Sequence, residues 1–346
     1  MSRVVHVLFG VVLTGLIAST CGASEAPTPR GSAGCGSESV LTAGKSAVLT
    51  LQVGELEREY RLHLPTGYES AAPMPLILVF HGYNGNVVKP GNDYTVFSRH
   101  ADDHGYVVAY PQATGFEVGG NLVTSWNDLA CNASPGPEGS TCTDGADDYP
   151  TPPECGEPRE CDWCSCHDDV GFVAALLEEL AGTLCIDLDR VFAHGSSNGA
   201  MFVHRLGCDM PGSFAAIAPV SGTIAKGFNC APGPSPKISM INVYGTRDTI
   251  VPFDGSASSD GFLYTPTSQV MALWAGAGSQ RCASQPSPYP TSRDGLAGFH
   301  CYQRADCATG AEVVDCAWDG GHDWPHVGDD QFSMDVIWEF FKKNGR

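Results

Sequence analysis

Apolar runs and amphipathic stretches alternate along most of the 346 residues. Between 47 and 64 apolar positions recur at every second residue, with Tyr60, Leu62 and Leu64 on one face. Gly54-Glu55 interrupts that run, a pattern that predicts a β-hairpin. Residues 75–80 (PLILVF) are continuously apolar, as in a strand covered on both faces, and 106–110 (YVVAY) repeat the pattern. The intervening 95–104 reads as a helix. Asp168 then caps a helix whose Val170, Val173, Leu176, Leu177, Leu180 and Leu184 share one side. Strands over 190–194, 214–220, 236–244 and 312–318 follow, with helices over 199–210, 266–277 and 333–343 between and after them. The last helix turns Val336, Ile337, Phe340 and Phe341 inward. This succession predicts an α/β fold with a mostly parallel central sheet and helices on both faces. With no internal repeat and no linker to a second globular unit, one domain is expected over 46–346.

Residues 111–167 break the rhythm. They are rich in Gly, Pro and Asp and hold Cys131, Cys142, Cys155, Cys161, Cys164 and Cys166. So long an aperiodic stretch inside a domain reads as a functional insertion, here held by disulfides over one edge of a site. Cys161-x-x-Cys164-x-Cys166-His167 has some zinc-site character, but no second CxxC pair accompanies it, and disulfides are the preferred reading.

The N-terminus supports export. Arg3 and His6 precede an apolar run over 7–17 that is short for a bilayer span, and small residues follow, so 1–24 is read as a signal peptide. Fourteen of the 15 cysteines lie beyond Cys21, an even number that allows up to seven disulfides in an exported protein. Cys21 is either removed with the signal or acylated as a lipoprotein anchor. Residues 25–45 are expected to be a flexible leader, with Cys35 as its one tether. The formal charge of −20 excludes nucleic acid or an anionic membrane as the main partner. A secreted or extracellular monomer without a membrane span is expected, and Asn132-Ala133-Ser134 is a glycosylation sequon.

The candidate chemistry centres on Gly195-Ser196-Ser197-Asn198-Gly199, which lies between a predicted strand and a predicted helix. Strand, tight turn and helix with serine at the apex is the nucleophile-elbow pattern, and it nominates Ser197 over Ser196. Serine chemistry needs a base and an acid to orient that base, in the chain order Ser, Asp, His, each past a strand end. Asp248 follows the strand over 236–244, and His322 lies on the glycine-rich loop past the strand over 312–318. Asp254 and Asp260 are rival acids further from the strand end, and His326 is the rival base. Backbone N–H groups of Asn198 and Tyr83 are the expected oxyanion donors, Tyr83 because His81-Gly82-Tyr83-Asn84-Gly85 follows the strand over 75–80. His81 and His194 are read as structural.

These stretches, with Arg61-Leu-His-Leu-Pro65, Asp168-Asp-Val-Gly-Phe172, Asp189-Arg-Val-Phe192, Phe214-Ala-Ala-Ile-Ala-Pro219, Gly245-Thr-Arg-Asp248, Ile250-Val-Pro252 and Gly320-Gly-His-Asp-Trp-Pro325, resemble the secreted feruloyl esterase and polyhydroxybutyrate depolymerase-like group of α/β-hydrolases. The resemblance runs from about residue 56 to the C-terminus. It implies the α/β-hydrolase fold, a serine esterase with Ser197, Asp248 and His322 as triad, and no metal or organic cofactor. It implies a hydroxycinnamoyl ester on plant cell-wall polysaccharide as substrate, with a polyhydroxybutyrate-type polyester as the alternative. A hydrolase homologue that only binds carbohydrate is a third reading, which an incomplete triad would have favoured. The chain departs from the group at Tyr83-Asn84 and in the cysteines of the insertion, which leaves the substrate pocket open. Trp126, in a Trp126-Asn127 pair like one near the group's active-site entrance, and Trp324 are the candidate substrate contacts, with a core position the equal alternative for Trp126.

Overall fold

The computed structural model describes residues 28–89, 95–128, 134–156, 160–163, 165–326 and 331–346. The signal segment, Cys21, Cys131, Cys164 and Asn132-Ala133 of the sequon fall outside these residues. The alternating run near the N-terminus forms β1 (Lys45–Val53) and β2 (Leu56–Leu64), paired antiparallel across the Gly54-Glu55 turn with Val53 opposite Leu56. The continuously apolar runs form β3 (Met74–Phe80) and β4 (Val107–Pro111), joined through α1 (Thr95–His104).

The long insertion contains a separate hairpin of β5 (Gly115–Val118) and β6 (Asn121–Thr124). It ends at α2 (Asp169–Thr183), where the Asp168 carboxylate accepts from Gly171 N and satisfies one free donor of the first turn. Next come β7 (Ile186–Ser196), α3 (Asn198–Asp209), β8 (Ala216–Val220), β9 (Ser239–Gly245) and α4 (Thr267–Ala275). The chain closes with β10 (Pro286–Pro288), β11 (Phe299–Arg304), β12 (Val313–Trp318) and α5 (Phe332–Lys343).

Ten strands make one sheet in the order β1-β2-β4-β3-β7-β8-β9-β12-β11-β10. The six from β4 to β12 are mutually parallel, and antiparallel strands close both edges. Strand pleating sends Leu76, Leu78 and Phe80 to one face and Ile77 and Val79 to the other. The first face packs on α2, α3 and α4 through Phe172, Phe202 and Trp274, the second on α1 and α5 through Ala101, Val336 and Phe341. Both sides being covered explains why the central strands read as unbroken apolar runs. β10 and β11 are additions to the expected elements, because β11 lies near the sheet edge and mixes His300, Gln303 and Arg304 with the buried Phe299 and Cys301.

The flexible leader expected over 25–45 needs correction. Ser32 N donates to Ile186 O at 2.9 Å, Gly34 N to Ala181 O at 2.9 Å, and Cys35 is bonded to Cys185. Backbone pairing as well as the disulfide docks this segment on β7 and α2, and Lys45 already belongs to β1. Five more disulfides join Cys142–Cys161, Cys155–Cys166, Cys208–Cys230, Cys282–Cys307 and Cys301–Cys316. Cys161 and Cys166 thus have separate sulfur partners and no thiolates to offer a zinc ion. Among the described residues no helix is long and apolar enough to cross a membrane.

Candidate active site

Strand order reverses at β3, whose neighbours β4 and β7 follow it in sequence, and a crevice opens there at the carboxyl ends of the strands. Two loops meet in it, the one after β3 with Gly82 and Tyr83, and the turn from β7 into α3. Ser197 sits on that turn at φ 54° and ψ −125°, a strained conformation for a residue with a side chain. The flanking glycines make the turn possible. A Cβ on Gly195 would lie 2.4 Å from Gly199 O, and one on Gly199 would lie 2.4 Å from His81 O. Strand, helix and neighbouring loop approach more closely there than any other residue allows.

His322, on the loop after β12, places Nε2 2.9 Å from Ser197 Oγ and Nδ1 2.8 Å from Asp248 Oδ2. Asp248, on the turn after β9, is buried, and its Oδ1 accepts from the N–H groups of Ile250 at 2.9 Å and Val251 at 2.8 Å. With the carboxylate fixed in this way, its other oxygen accepts from His322 Nδ1–H, which leaves Nε2 as the acceptor facing the serine. Sites on three strand ends, 125 residues apart between Ser197 and His322, therefore form one hydrogen-bonded row.

Asn198 opens α3, so its N–H has no acceptor within the helix. Tyr83 and Asn198 both line the cavity beside Ser197, and a Cβ on Gly82 would come within 3.2 Å of Ser197 Cβ. The Asn198 side chain is engaged elsewhere: Oδ1 accepts from Trp126 N at 2.8 Å and Nδ2 donates to Trp126 O at 3.2 Å. This two-point bridge ties the insertion to the elbow.

Of the two readings of Trp126, substrate contact and core residue, the structure takes the second. It is fully buried between Phe80 and Phe202, and its indole donates to His81 O at 2.9 Å. An apolar ring with its single donor satisfied has no reason to be exposed. Asn127 is held from both sides, by Asp169 Oδ2 at 2.8 Å and by Arg205 Nη1 at 2.7 and 3.0 Å, with the buried Arg58–Asp169 ion pair behind it. Trp324 departs from expectation. It borders a separate groove with Phe97, His194 and Ser196 and does not line the Ser197 cavity.

His81 lies beneath the loop. Its Nδ1–H donates to Gly82 O at 2.7 Å, and Nε2 accepts from Ala113 N at 3.1 Å. His194 donates from Nδ1 to Ala218 O at 2.8 Å. Burial lowers both imidazoles to about 4 and keeps them neutral, fixed hydrogen-bonding groups. Ser196 faces the Trp324 groove, Asp254 is exposed and accepts from Ser256 N, and His326 is exposed with Nδ1 on Trp324 O. None of the three joins the hydrogen-bonded row. Asp260, the other rival acid, enters the site at the wall of the cavity.

That cavity, about 370 Å³, has Ser197 and His322 at one side and Tyr83, Tyr149, Trp163, Met201, Val251 and Tyr264 around it. Its size is at the lower end of small-molecule sites. Tyr149 and Trp163 come from the insertion and pack on Phe262 at 5.5 and 4.6 Å. The Cys142–Cys161 disulfide ties the insertion to itself, and the bonds Thr143 N to Gly261 O and Asp147 N to Asp260 O join it to the segment that carries Phe262. Sequence reasoning did not reach Tyr149, Trp163 and Phe262, which sit on two aperiodic stretches of chain. The Cys142 to Cys161 spacing was the nearest available signal.

The fold is that of the α/β-hydrolases, and the serine–histidine–aspartate row stands where that fold carries its reacting groups. Comparison with known proteins narrows the class. The chain is 25% identical to a feruloyl esterase C of Emericella nidulans, over 90% of each chain. To a probable feruloyl esterase C of Aspergillus niger it is 25% identical, over 86% of this chain and 89% of that one. Among solved structures it superposes on an acetyl xylan esterase from Aspergillus awamori with a TM-score of 0.53 at 17% identity, over 86% of this chain and 99% of that one. No family model matches. The chain is thus a relative of the feruloyl esterase C proteins, in keeping with the resemblance carried by its motifs.

Proposed function

We propose that the protein is a serine carboxylic ester hydrolase that releases hydroxycinnamic acids from plant cell-wall polysaccharide esters. Ser197 Oγ attacks the ester carbonyl while His322 Nε2 accepts its proton. Asp248 holds the imidazole tautomer and stabilises the imidazolium, and the N–H groups of Tyr83 and Asn198 hold the oxyanion. His322 then protonates the departing alcohol and activates water to cleave the acyl-enzyme. The observation that carries this reading is His322 bridging Ser197 Oγ at 2.9 Å and Asp248 Oδ2 at 2.8 Å beside an aromatic-walled cavity. The disulfides and the relationship to feruloyl esterase C proteins support an extracellular site of action.

The test is hydrolysis of methyl ferulate beside 3-hydroxybutyrate oligomers by the wild type and Ser197→Ala. Ferulate release that falls by about 10⁵–10⁶ in the variant is expected. Release of hydroxybutyrate alone would keep the mechanism and overturn the substrate, and equal activity in the variant would overturn the nucleophile.

A further inference from the structure

The lining of the Ser197 cavity combines apolar plates with two polar groups that the hydrolytic chemistry does not use. Asp260 is buried on the segment 258–264, which pairs with the insertion. Its Oδ1 accepts from Ser258 Oγ and from Phe262 N at 3.2 Å, so one side of the carboxylate is held in place. Its Oδ2 accepts a single bond among those described, from Tyr149 OH at 3.2 Å, and a carboxylate oxygen has room for a second donor. Tyr264 lines the same cavity, and its buried hydroxyl has no hydrogen-bond partner among the described residues. Burial and the neighbouring Asp260 charge push the phenols of Tyr149 and Tyr264 up, so both stay protonated and act as donors.

A buried phenol without a partner at the wall of a ligand-sized cavity is an unmet hydrogen bond, which a bound molecule that presses into the wall can complete. The occupant must cover aromatic faces, donate to a carboxylate and accept from a phenol. A short aliphatic hydroxyacyl group leaves the Tyr149, Trp163 and Tyr83 faces uncovered, whereas a flat ring with a free hydroxyl meets all three demands.

We infer that Asp260 and Tyr264 form an acyl-side subsite that recognises the free ring hydroxyl of a phenolic acyl group. Asp260 Oδ2 accepts the phenolic proton, and Tyr264 OH donates to the phenolic oxygen. Tyr149, already bonded to Asp260, and Trp163 flank the ring. This rests on the esterase reading above and adds to it a requirement for an unblocked phenol.

The experiment compares kcat/KM for methyl ferulate with that for methyl 3,4-dimethoxycinnamate, which keeps the ring and loses the donor. The wild type should prefer ferulate by about 10–100-fold, the range of a hydrogen bond to a charged acceptor. Asp260→Asn keeps the acceptor towards Ser258 and Phe262 while removing the charge, and it should shrink that ratio at least several-fold. Tyr264→Phe, which deletes only the hydroxyl, should shrink it less. A merely structural Asp260 would lower both esters together and leave the ratio unchanged, which overturns the subsite. Equal wild-type hydrolysis of the two esters overturns the subsite and leaves the feruloyl reading standing. Turnover of neither cinnamate, with hydroxybutyrate oligomers cleaved, overturns both.

Discussion

The strand ends of the parallel sheet and the cysteine-rich wall line the same cavity but are built by different means. On the sheet side, Ser197, Asp248 and His322 each follow a strand, so the register of β7, β9 and β12 sets their positions. Local backbone does the rest: the left-handed turn at Ser197, and the Ile250 and Val251 N–H groups that grip Asp248. On the wall side, Tyr149 and Trp163 have little regular structure of their own. They are held by Cys142–Cys161, by Cys155–Cys166 and by backbone bonds to the segment 258–264. The proposed reacting groups thus sit on a scaffold stabilised by a large core, whereas Tyr149 and Trp163 sit on a segment stabilised by covalent links. Such a division lets the wall vary without disturbing the chemistry.

Three measurements sharpen this contrast. The largest effect is expected from Asp248→Asn, which preserves shape but favours the wrong imidazole tautomer. It should lower kcat by about 10⁴ with little change in the urea midpoint, read by steady-state kinetics beside equilibrium unfolding. A loss of stability in proportion to the loss of activity would show instead that Asp248 serves packing.

The second concerns the scaffold alone. His81, His100, His194 and His204 are each lowered to about 4 by burial, whereas unfolded histidine titrates near 6.5. Between those values the unfolded chain holds the extra protons, so stability falls as pH drops from about 6.5 to 4. Asp315 on β12 acts in the opposite sense. Burial raises it from 3.8 to about 7, so its folded form gains relative stability as pH falls below 7. The histidines outnumber it, so net stability should fall as pH drops through this window, measured by urea unfolding across pH. A flat profile over this window would show that these imidazoles are hydrated in the folded state.

The smallest effect is expected in the wall. Replacing both Cys142 and Cys161 by alanine should cost about 3 kcal/mol or less in stability. It should lower kcat/KM for methyl ferulate by several-fold more than for a short acetyl ester, because Tyr149 and Trp163 lose their anchor. Equal losses on the two esters would mean that the wall does not select the acyl group.

Much of the scaffold was legible in the sequence because its signals are local. Residues 75–80 and 106–110 are apolar throughout because both faces of their strands are covered, and 95–104 and 333–343 show one-sided apolar patterns because each helix covers one face. Asp168 announces a helix start through a bond three residues away. Gly195 and Gly199 announce a turn that no other residue could make. Candidates for the row of Ser197, Asp248 and His322 could be named because each follows a strand in the required order.

What the tertiary structure decided is contact between segments with no periodic signal. Trp126 beside Asn127 looks like a binding pair in sequence, yet Phe80, Phe202 and the His81 carbonyl claim the indole. Asp260 reads as an inferior rival to Asp248, and only its bonds to Ser258, Phe262 and Tyr149 turn it towards the cavity. The leader reads as mobile, but its backbone finds partners on β7 and α2. By itself the sequence determined the central strands of the sheet, the helices and the candidate reacting groups, since those follow from patterns a few residues long. The shape and polarity of the acyl cavity were decided by the folded chain, because side chains far apart in sequence reach one another only after disulfides and backbone pairing have closed the loops between them.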